Sequence, residues 1–517
     1  MEKLYNNILL SDMDAPSDAE HVPYLENPPE VIDISVGRQL FVDDFLIEKT
    51  ELVPEYHKAK KTGQPVLSPE TPWEKEGGPC ACPKSGGIWY DEKEKKFKMW
   101  YEAGWLRHMC YAESEDGLSW VRPDLGIVPG TNLILPYQRR EDDIDFSEGD
   151  TSYLRPDSTT VFIDDTCPAE ERYKLFLRNP GAYMPGIAAV SSDGIHFENF
   201  RQTGRLLDRS TVFYNPFRKK WVYSIRQGLI LSDGTGVRAR QYRECDHYLD
   251  GAAWTDQDIT EWLSCDSLDQ PNPYIGFLPQ LYNVDCVGYE SIMLGMFQIM
   301  YGPENDSCEK YGVPKITDLM PMYSRDGYHF SRPCRKSLIP SSIHEGAWDR
   351  GYVQSVGGVC VIHEEELWIY YIGFGGDPEY NSENYDWTLN GMYRNGATGL
   401  AKLRRDGFVS MNGTGTLTTR KLIMDGKCGM IVNADGSVSV KILSPEGDVL
   451  ACSEPFCGDS TGYRLNFPDF DLKTLNQKPF RLEFDVCGKL YSFGFTDASG
   501  DCGGAHAAGK LSGKENS

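Results

Sequence analysis

The chain has 517 residues, with 52 Lys+Arg against 77 Asp+Glu and a formal net charge of −25. A surface that acidic (pI near 4.8) repels phosphate backbones and anionic headgroups. Nucleic acid and membrane are therefore excluded as expected partners, leaving neutral or cationic small substrates. Hydrophobic residues at 40% and charged residues at 25% describe an ordinary globular chain able to bury a sizeable core, in which 12% aromatics stand out.

No basic stretch followed by an apolar run opens the sequence, so no export signal is expected. No apolar run approaches the ~20 residues of a membrane span. The 15 cysteines are scattered, and none of their spacings suits zinc. They read as free thiols in a reducing cytoplasm.

In chain order, residues 1–35 are Pro- and acid-rich and expected to be irregular. Gln39-Leu-Phe-Val-Asp-Asp-Phe-Leu-Ile47 reads as a strand that closes or backs a larger sheet array, with one of its two adjacent aspartates pointing inward and the other to solvent.

A repeat then organises residues 75–410. Asp-Gly followed, after two intervening residues, by an aromatic recurs as Asp116-Gly-Leu-Ser-Trp120, Asp193-Gly-Ile-His-Phe197, Asp250-Gly-Ala-Ala-Trp254 and Asp326-Gly-Tyr-His-Phe330, with a degenerate copy at Asp406-Gly. Asp-Gly supplies the positive-φ positions of a tight hairpin. The spacings of 77, 57, 76 and 80 residues suit a four-stranded antiparallel blade with loops. Ahead of each turn lies a strand–turn–aromatic-strand unit, such as Gly86-Gly-Ile-Trp-Tyr-Asp with Phe97-Lys-Met-Trp-Tyr, or Thr211-Val-Phe-Tyr-Asn with Trp221-Val-Tyr-Ser. Period-2 alternation makes these strands. Five such units predict an all-β fold, a five-bladed β-propeller over 36–410. From 411 to 495 short Gly-punctuated strands predict a small C-terminal β-sandwich. The tail, 496–517, is expected to be disordered.

Overlaying the units brings carboxylates into register. Asp157-Ser-Thr-Thr-Val-Phe matches Asp208-Arg-Ser-Thr-Val-Phe, Asp285 takes the related slot in the fourth unit, Lys84-Ser-Gly-Gly in the first and Ser355-Val-Gly-Gly in the fifth. If these open the innermost strands, Asp157, Asp208 and Asp285 surround one mouth of a central channel with Lys84 beside them. A single Asp at a strand entrance is ordinarily a turn cap; three in one register form a set able to divide acid and base roles in glycosidic bond cleavage. Asp157 is expected as base or nucleophile, Asp285 as acid and Asp208 as the tuning carboxylate. Glu290 is the substitute acid, or a partner for Arg226. Asp44, Lys84, Arg226 and the loop residues Trp348, Asp349 and Arg350 are the expected substrate contacts, since sugar sites combine aromatic platforms with fixed polar groups. No cofactor and no catalytic metal is expected. A structural Ca²⁺ held by carbonyls and an Asp in the channel stays open.

The five units, the Phe-Val-Asp-Asp strand, Ser85-Gly-Gly-Ile-Trp-Tyr-Asp and Tyr323-Ser-Arg-Asp-Gly-Tyr-His-Phe330 resemble the five-bladed propeller glycosidase superfamily of invertases, levanases, arabinanases and β-xylosidases. The nearest likeness is to bacterial proteins similar to the invertase-family N-terminal domain. The resemblance implies a glycoside hydrolase acting on plant or microbial glycans, and in its arabinanase branch acids precede the inner strands of successive blades. The chain departs from the pattern in lacking Asn-Asp-Pro-Asn-Gly and in carrying Lys84 where that branch has its base. Glu244-Cys245 imitates the invertase acid motif at a position ahead of the Asp250 turn. Two alternatives stand beside hydrolysis: a phosphorylase of the mannoside type, with Lys84, Arg226 and Arg350 as its phosphate pocket, and a non-catalytic glycan-binding propeller. The sugar, linkage and oligomeric state are not readable from the residues.

Overall fold

A computed structural model describes residues 2–11, 13–135, 157–178, 186–230, 234–385 and 389–511. Five antiparallel sheets follow one another in chain order and form the expected propeller. Blade 1 is built on Ile88–Asp91, Lys96–Ala103, His108–Ser114 and Leu133–Leu135, with Ala81–Cys82 extending its inner strand. Blade 2 is Asp157–Ile163, Tyr173–Arg178, Gly186–Ser191 and Glu198–Gln202. Blade 3 is Thr211–Asn215, Lys220–Ile230, Gly236–Cys245 and Thr260–Leu263. Blade 4 is Gln280–Glu290, Ile292–Gly302 and Ile316–Ser324. Blade 5 has Gly351–Ser355 and Val361–His363 innermost, then Glu366–Phe374 and Gly396–Arg404, and takes its outer strand, Lys60–Lys61, from the N-terminal part of the chain.

The repeated Asp-Gly turns follow the third strand of a blade and lock it to its neighbour. In blades 1, 2 and 4 the hydroxyl of Ser114, Ser191 or Ser324 accepts from the glycine N–H, and Gly117, Gly194 and Gly327 hold φ of 71°, 78° and 82°. That is the left-handed region where a Cβ is disfavoured. Trp100 of blade 1 donates its indole N–H to the Gly194 carbonyl at 2.7 Å, and Tyr370 of blade 5 donates to the Gly117 carbonyl at 2.9 Å. The blade 3 copy departs from a hairpin: Asp250-Gly251 ends a short helix, Tyr248–Gly251.

After the ring, Val409–Thr419, Gly429–Leu443, Val449–Cys452, Phe456–Arg464 and Arg481–Thr496 join Gln39–Leu40, Ile47–Thr50 and Val53–Tyr56 in one eight-stranded antiparallel sheet. The segment expected to form a separate sandwich thus draws three strands from before the ring. The tail departs from its expected disorder over its described part. Ala505–His506 pairs with Tyr289 and Glu290, and Lys510–Leu511 runs parallel to Ile362 and His363. The Tyr90 N–H donates to the Ala508 carbonyl at 2.8 Å. The ends of the inner strands of blades 1, 4 and 5 would otherwise carry unpaired backbone groups, and the tail satisfies them. Residues 512–517 lie outside the described residues. No helix among the described residues is long and apolar enough to cross a membrane.

Candidate active site at one mouth of the ring

The inner strands begin at one mouth of the ring and end at the mouth that the tail packs against. At their beginnings the blades are stitched together. The Arg209 N–H donates to Ser158 Oγ at 2.7 Å, Thr211 Oγ1 to the Val284 carbonyl at 2.7 Å, Ser355 Oγ to Asp285, and the Gly357 N–H to the Lys84 carbonyl at 3.0 Å. Asn283 Nδ2 reaches Ser85 Oγ at 3.5 Å, linking blade 4 to blade 1. Lys84, Ser158 and Arg209 hold φ of 46°, 54° and 62°. Side-chain-bearing residues in that region carry strain of roughly 1–3 kcal/mol each, a feature concentrated at functional sites. The matched Asp-x-[Ser/Thr]-Thr-Val-Phe frames of blades 2 and 3 therefore share both register and backbone shape: in each, the residue after the Asp is left-handed.

The aspartates at this mouth are all engaged. Asp157 accepts from Arg178 at 2.7 Å and Asp208 from Arg226. Asp285 accepts from Asn283 Nδ2 at 2.8 Å and from Ser355 Oγ. Lys84 is buried and pairs at 2.6 Å with Glu102, from the second strand of blade 1, which also accepts the Leu106 N–H at 2.9 Å. Burial pushes the Glu102 carboxyl above its ordinary value, against the pull of Lys84, and the charge of nearby Asp157 adds to the rise. Lys84 Nζ sits 4.1 Å from the Trp105 ring, which stacks on Tyr393 at 4.1 Å.

The mouth is also rich in cations. Arg226 and Arg240 face each other across neighbouring strands of blade 3, and Arg238 lies two residues from Arg240 on the same face. Arg240 donates to the carbonyls of Arg209 and Tyr282. Arg238 lies 5.5 Å from the Tyr282 ring, and Lys315 lies 5.2 and 5.5 Å from the Tyr282 and Tyr352 rings. The Tyr282 and Tyr352 hydroxyls share a 2.5 Å hydrogen bond. Burial opposes ionisation of Tyr282, but Lys315, Arg238, the Tyr352 hydroxyl and Arg209 together bring its phenol down to about 8. Burial, then Arg238, brings Arg226 down to about 10.

Of the residues expected from sequence, Asp157, Asp208, Asp285, Lys84 and Arg226 are brought to this mouth. The others are not. Glu290 ends the same strand that carries Asp285, roughly 17 Å further along at the usual rise per residue, and pairs with Arg405 at 2.7 Å and with the Arg38 backbone N–H at 3.1 Å. Asp43 is buried against Arg325, which leaves Asp44 exposed in the turn outside the ring. Asp349 is held by Lys61 and Ser342 at 2.6 Å each, and Trp348 by the Gly63 carbonyl at 2.7 Å, so that both fasten the outer strand of blade 5. Arg350 lies half-buried in the same loop. Their nearness in sequence to the inner strand Gly351–Ser355 suggested the mouth; the long-range lysine decides otherwise. Missed from the sequence were Glu102, Arg209, Arg238 and Arg240. The alternation Val237-Arg-Ala-Arg240 on a strand facing Arg226 was the available signal. No group of three or more His, Cys, Asp or Glu suited to a metal occurs among the described residues. A cavity of about 700 Å³ lies elsewhere, beneath the N-terminal segment, where Asp326 is already engaged by His329 at 2.7 Å.

No protein-family model and no curated protein matches the chain. Solved structures do. The chain is similar to an N-acetylgalactosamine deacetylase from F. plautii in complex with blood group B trisaccharide, at 13% identity over 69% of this chain and 96% of that one, TM-score 0.43. It is similar to a β-1,2-mannobiose phosphorylase from Listeria innocua at 11% identity over 67% and 96%, TM-score 0.42. A Bacillus subtilis family 43 arabinoxylan arabinofuranohydrolase in complex with cellotetraose matches at 10% identity over 84% and 99%, TM-score 0.36. Likenesses of this size carry no argument about activity or residues; the propeller is read from this chain's own five sheets.

Proposed function

We propose that the protein is a glycoside hydrolase whose reaction centre is the mouth where the five inner strands begin. The observation that carries this reading is buried Glu102, paired with Lys84 and within reach of the charge of Asp157, with Asp208 and Asp285 contributed by two further blades. Glycosidic cleavage needs one carboxyl that keeps its proton and one that does not. Glu102, its pKa raised by burial and by Asp157, is the acid that protonates the leaving oxygen. Asp157, paired with Arg178, is the base or nucleophile. The acid role that the sequence alone gave to Asp285 moves to Glu102, because burial raises the Glu102 carboxyl, whereas Asp285 Oδ2 is taken up by Asn283 Nδ2 and Ser355 Oγ. Half-exposed Asp208 is the carboxylate placed to receive sugar hydroxyls.

The test is an activity screen on aryl glycosides and oligosaccharides, followed by D157N, E102Q, D208N and D285N side by side. Loss of a general acid or base lowers turnover by ~10²–10⁴-fold, which is the outcome expected for D157N and E102Q with folding retained. Near-wild-type turnover in both variants, or binding of glycans without cleavage of any, overturns the reading; the latter result favours a lectin.

A further inference from the structure

Arg209 is the unusual residue of the ring. It is 3% exposed, and all three of its guanidinium nitrogens lack a hydrogen-bond partner among the described residues. A buried guanidinium is ordinarily paired, because stripping its water without replacement is strongly unfavourable. Its charge acts on the Tyr282 and Tyr352 hydroxyls, of blades 4 and 5, and on Arg240. Around it stand Arg226, Arg238, Arg240 and Lys315. Like charges directly opposite on neighbouring strands destabilise a sheet, yet Arg226 faces Arg240 and Arg238 shares their side. The described carboxylates of this mouth, Asp157, Asp208, Asp285 and Glu102, are outnumbered by Lys84, Arg178 and these five cations. Such a local excess is the reverse of the chain's overall charge of −25.

We propose that Arg209, with Arg226 and Arg238, holds an oxyanion group, a carboxylate, sulfate or phosphate, presented at the propeller centre. Guanidinium forks match the paired oxygens of these groups. An anion between them supplies the partner that Arg209 lacks and relieves the repulsion across blade 3. The Tyr282–Tyr352 hydroxyl pair, beside Lys315, offers a further donor at its edge. The inference rests on the reading of this mouth as a substrate site, and it replaces the neutral or cationic substrates suggested by overall charge with ones that carry, or are attacked by, an oxyanion.

The test is calorimetric titration of the full chain with inorganic phosphate, sulfate and D-glucuronate, with glucose as the neutral control. Saturable binding of at least one anion and none of glucose is expected. R209M and R238Q should weaken it about ten- to a hundredfold, whereas K220Q, which removes a surface partner of Asp246, leaves it unchanged. R209K, which keeps charge but not the fork, falls between; if R209M fails to fold, R209K and R238Q carry the comparison. Phosphate that accelerates glycoside cleavage and appears in the product identifies free phosphate as the source. Preference for glucuronate or sulfate, with cleavage indifferent to phosphate, places the anion on the glycan. If no anion binds, or all bind R209M and R238Q as tightly as the parent, the inference fails. Binding that persists in D157N while turnover is lost separates this site from the cleavage chemistry, so each can fail alone.

Discussion

The inner strand of blade 4, Gln280–Glu290, carries two charged clusters, one at each end, and they are built on opposite principles. At its far end Glu290 meets Arg405, and Asp406 accepts from Arg38 at 2.9 Å, Ser492 at 2.6 Å and the Tyr289 hydroxyl. Four segments distant in sequence are thereby fastened, with each carboxylate oxygen used. At its near end lie arginines in excess, one of them, Arg209, on left-handed backbone and with no side-chain hydrogen-bond partner among the described residues. Where charges balance and geometry is complete, the cluster is a clasp. Where they do not balance, the fold is holding a group ready for something it does not itself contain.

The largest effect should come from breaking the clasp. Asp406→Asn leaves buried Arg38 with only the more distant Glu290, at 3.8 Å, as counter-charge, a loss of about 3–5 kcal/mol for a broken buried pair, read as a lowered denaturation midpoint. The same clasp sets an acid limit. Burial opposes ionisation of Asp406, but Arg38, Arg405, Ser492 and Tyr289 hold its carboxyl down to about 2. A depressed carboxyl contributes stability that is present above its unfolded value of ~3.9 and is lost as pH falls through the folded one. Melting temperature should therefore fall between about pH 4 and pH 2, and fall less steeply in Asp406→Asn.

Next in size, a chain ending at residue 496 should melt several degrees lower than one ending at 511, because strands Ala505–His506 and Lys510–Leu511 would be lost from the inner edges of blades 4 and 5. An unchanged midpoint would show that these edges are content with water. At the near end the sign reverses. In anion-free buffer Arg209→Met should stabilise the fold by ~1–2 kcal/mol, since it removes an unpaired buried charge. Destabilisation there would mean that Arg209 is a strut and would erase the contrast between the two clusters. The smallest effect is a pH dependence. As pH rises through about 8, Tyr282 loses its proton among Lys315, Arg238, Arg209, Arg226 and Tyr352. The new negative charge competes with a bound anion, so affinity for sulfate should fall a few-fold, and Y282F should abolish that fall.

The blades were legible in the sequence because their signals are local. Ser-x-Asp-Gly turns repeat the same hydrogen bonds wherever they occur, and alternating aromatics mark the strands that pack behind them. Asp157 and Asp208 were legible for a related reason: the same six-residue frame makes the same left-handed step twice. What failed was what a distant segment decides. Glu290 and Asp349 looked free until Arg38, Arg405 and Lys61, hundreds of residues away in two of the three cases, arrived to occupy them. The tail looked disordered because its Gly and Ala residues say nothing of the strand edges waiting for them. Glu102 was hidden in an ordinary aromatic strand, since only the fold sets Lys84 and Asp157 beside it.

Closure by Lys60–Lys61 against Ala401 and Lys402 bears on how the molecule comes into being on the ribosome. At typical elongation rates the partner strand emerges roughly 20–70 s after these lysines do. Throughout that interval blade 5 is incomplete and the early strand lacks the edge it pairs with. Two adjacent ammonium groups are among the side chains least inclined to join a wrong sheet edge, so the residues that finally close the ring are suited to waiting.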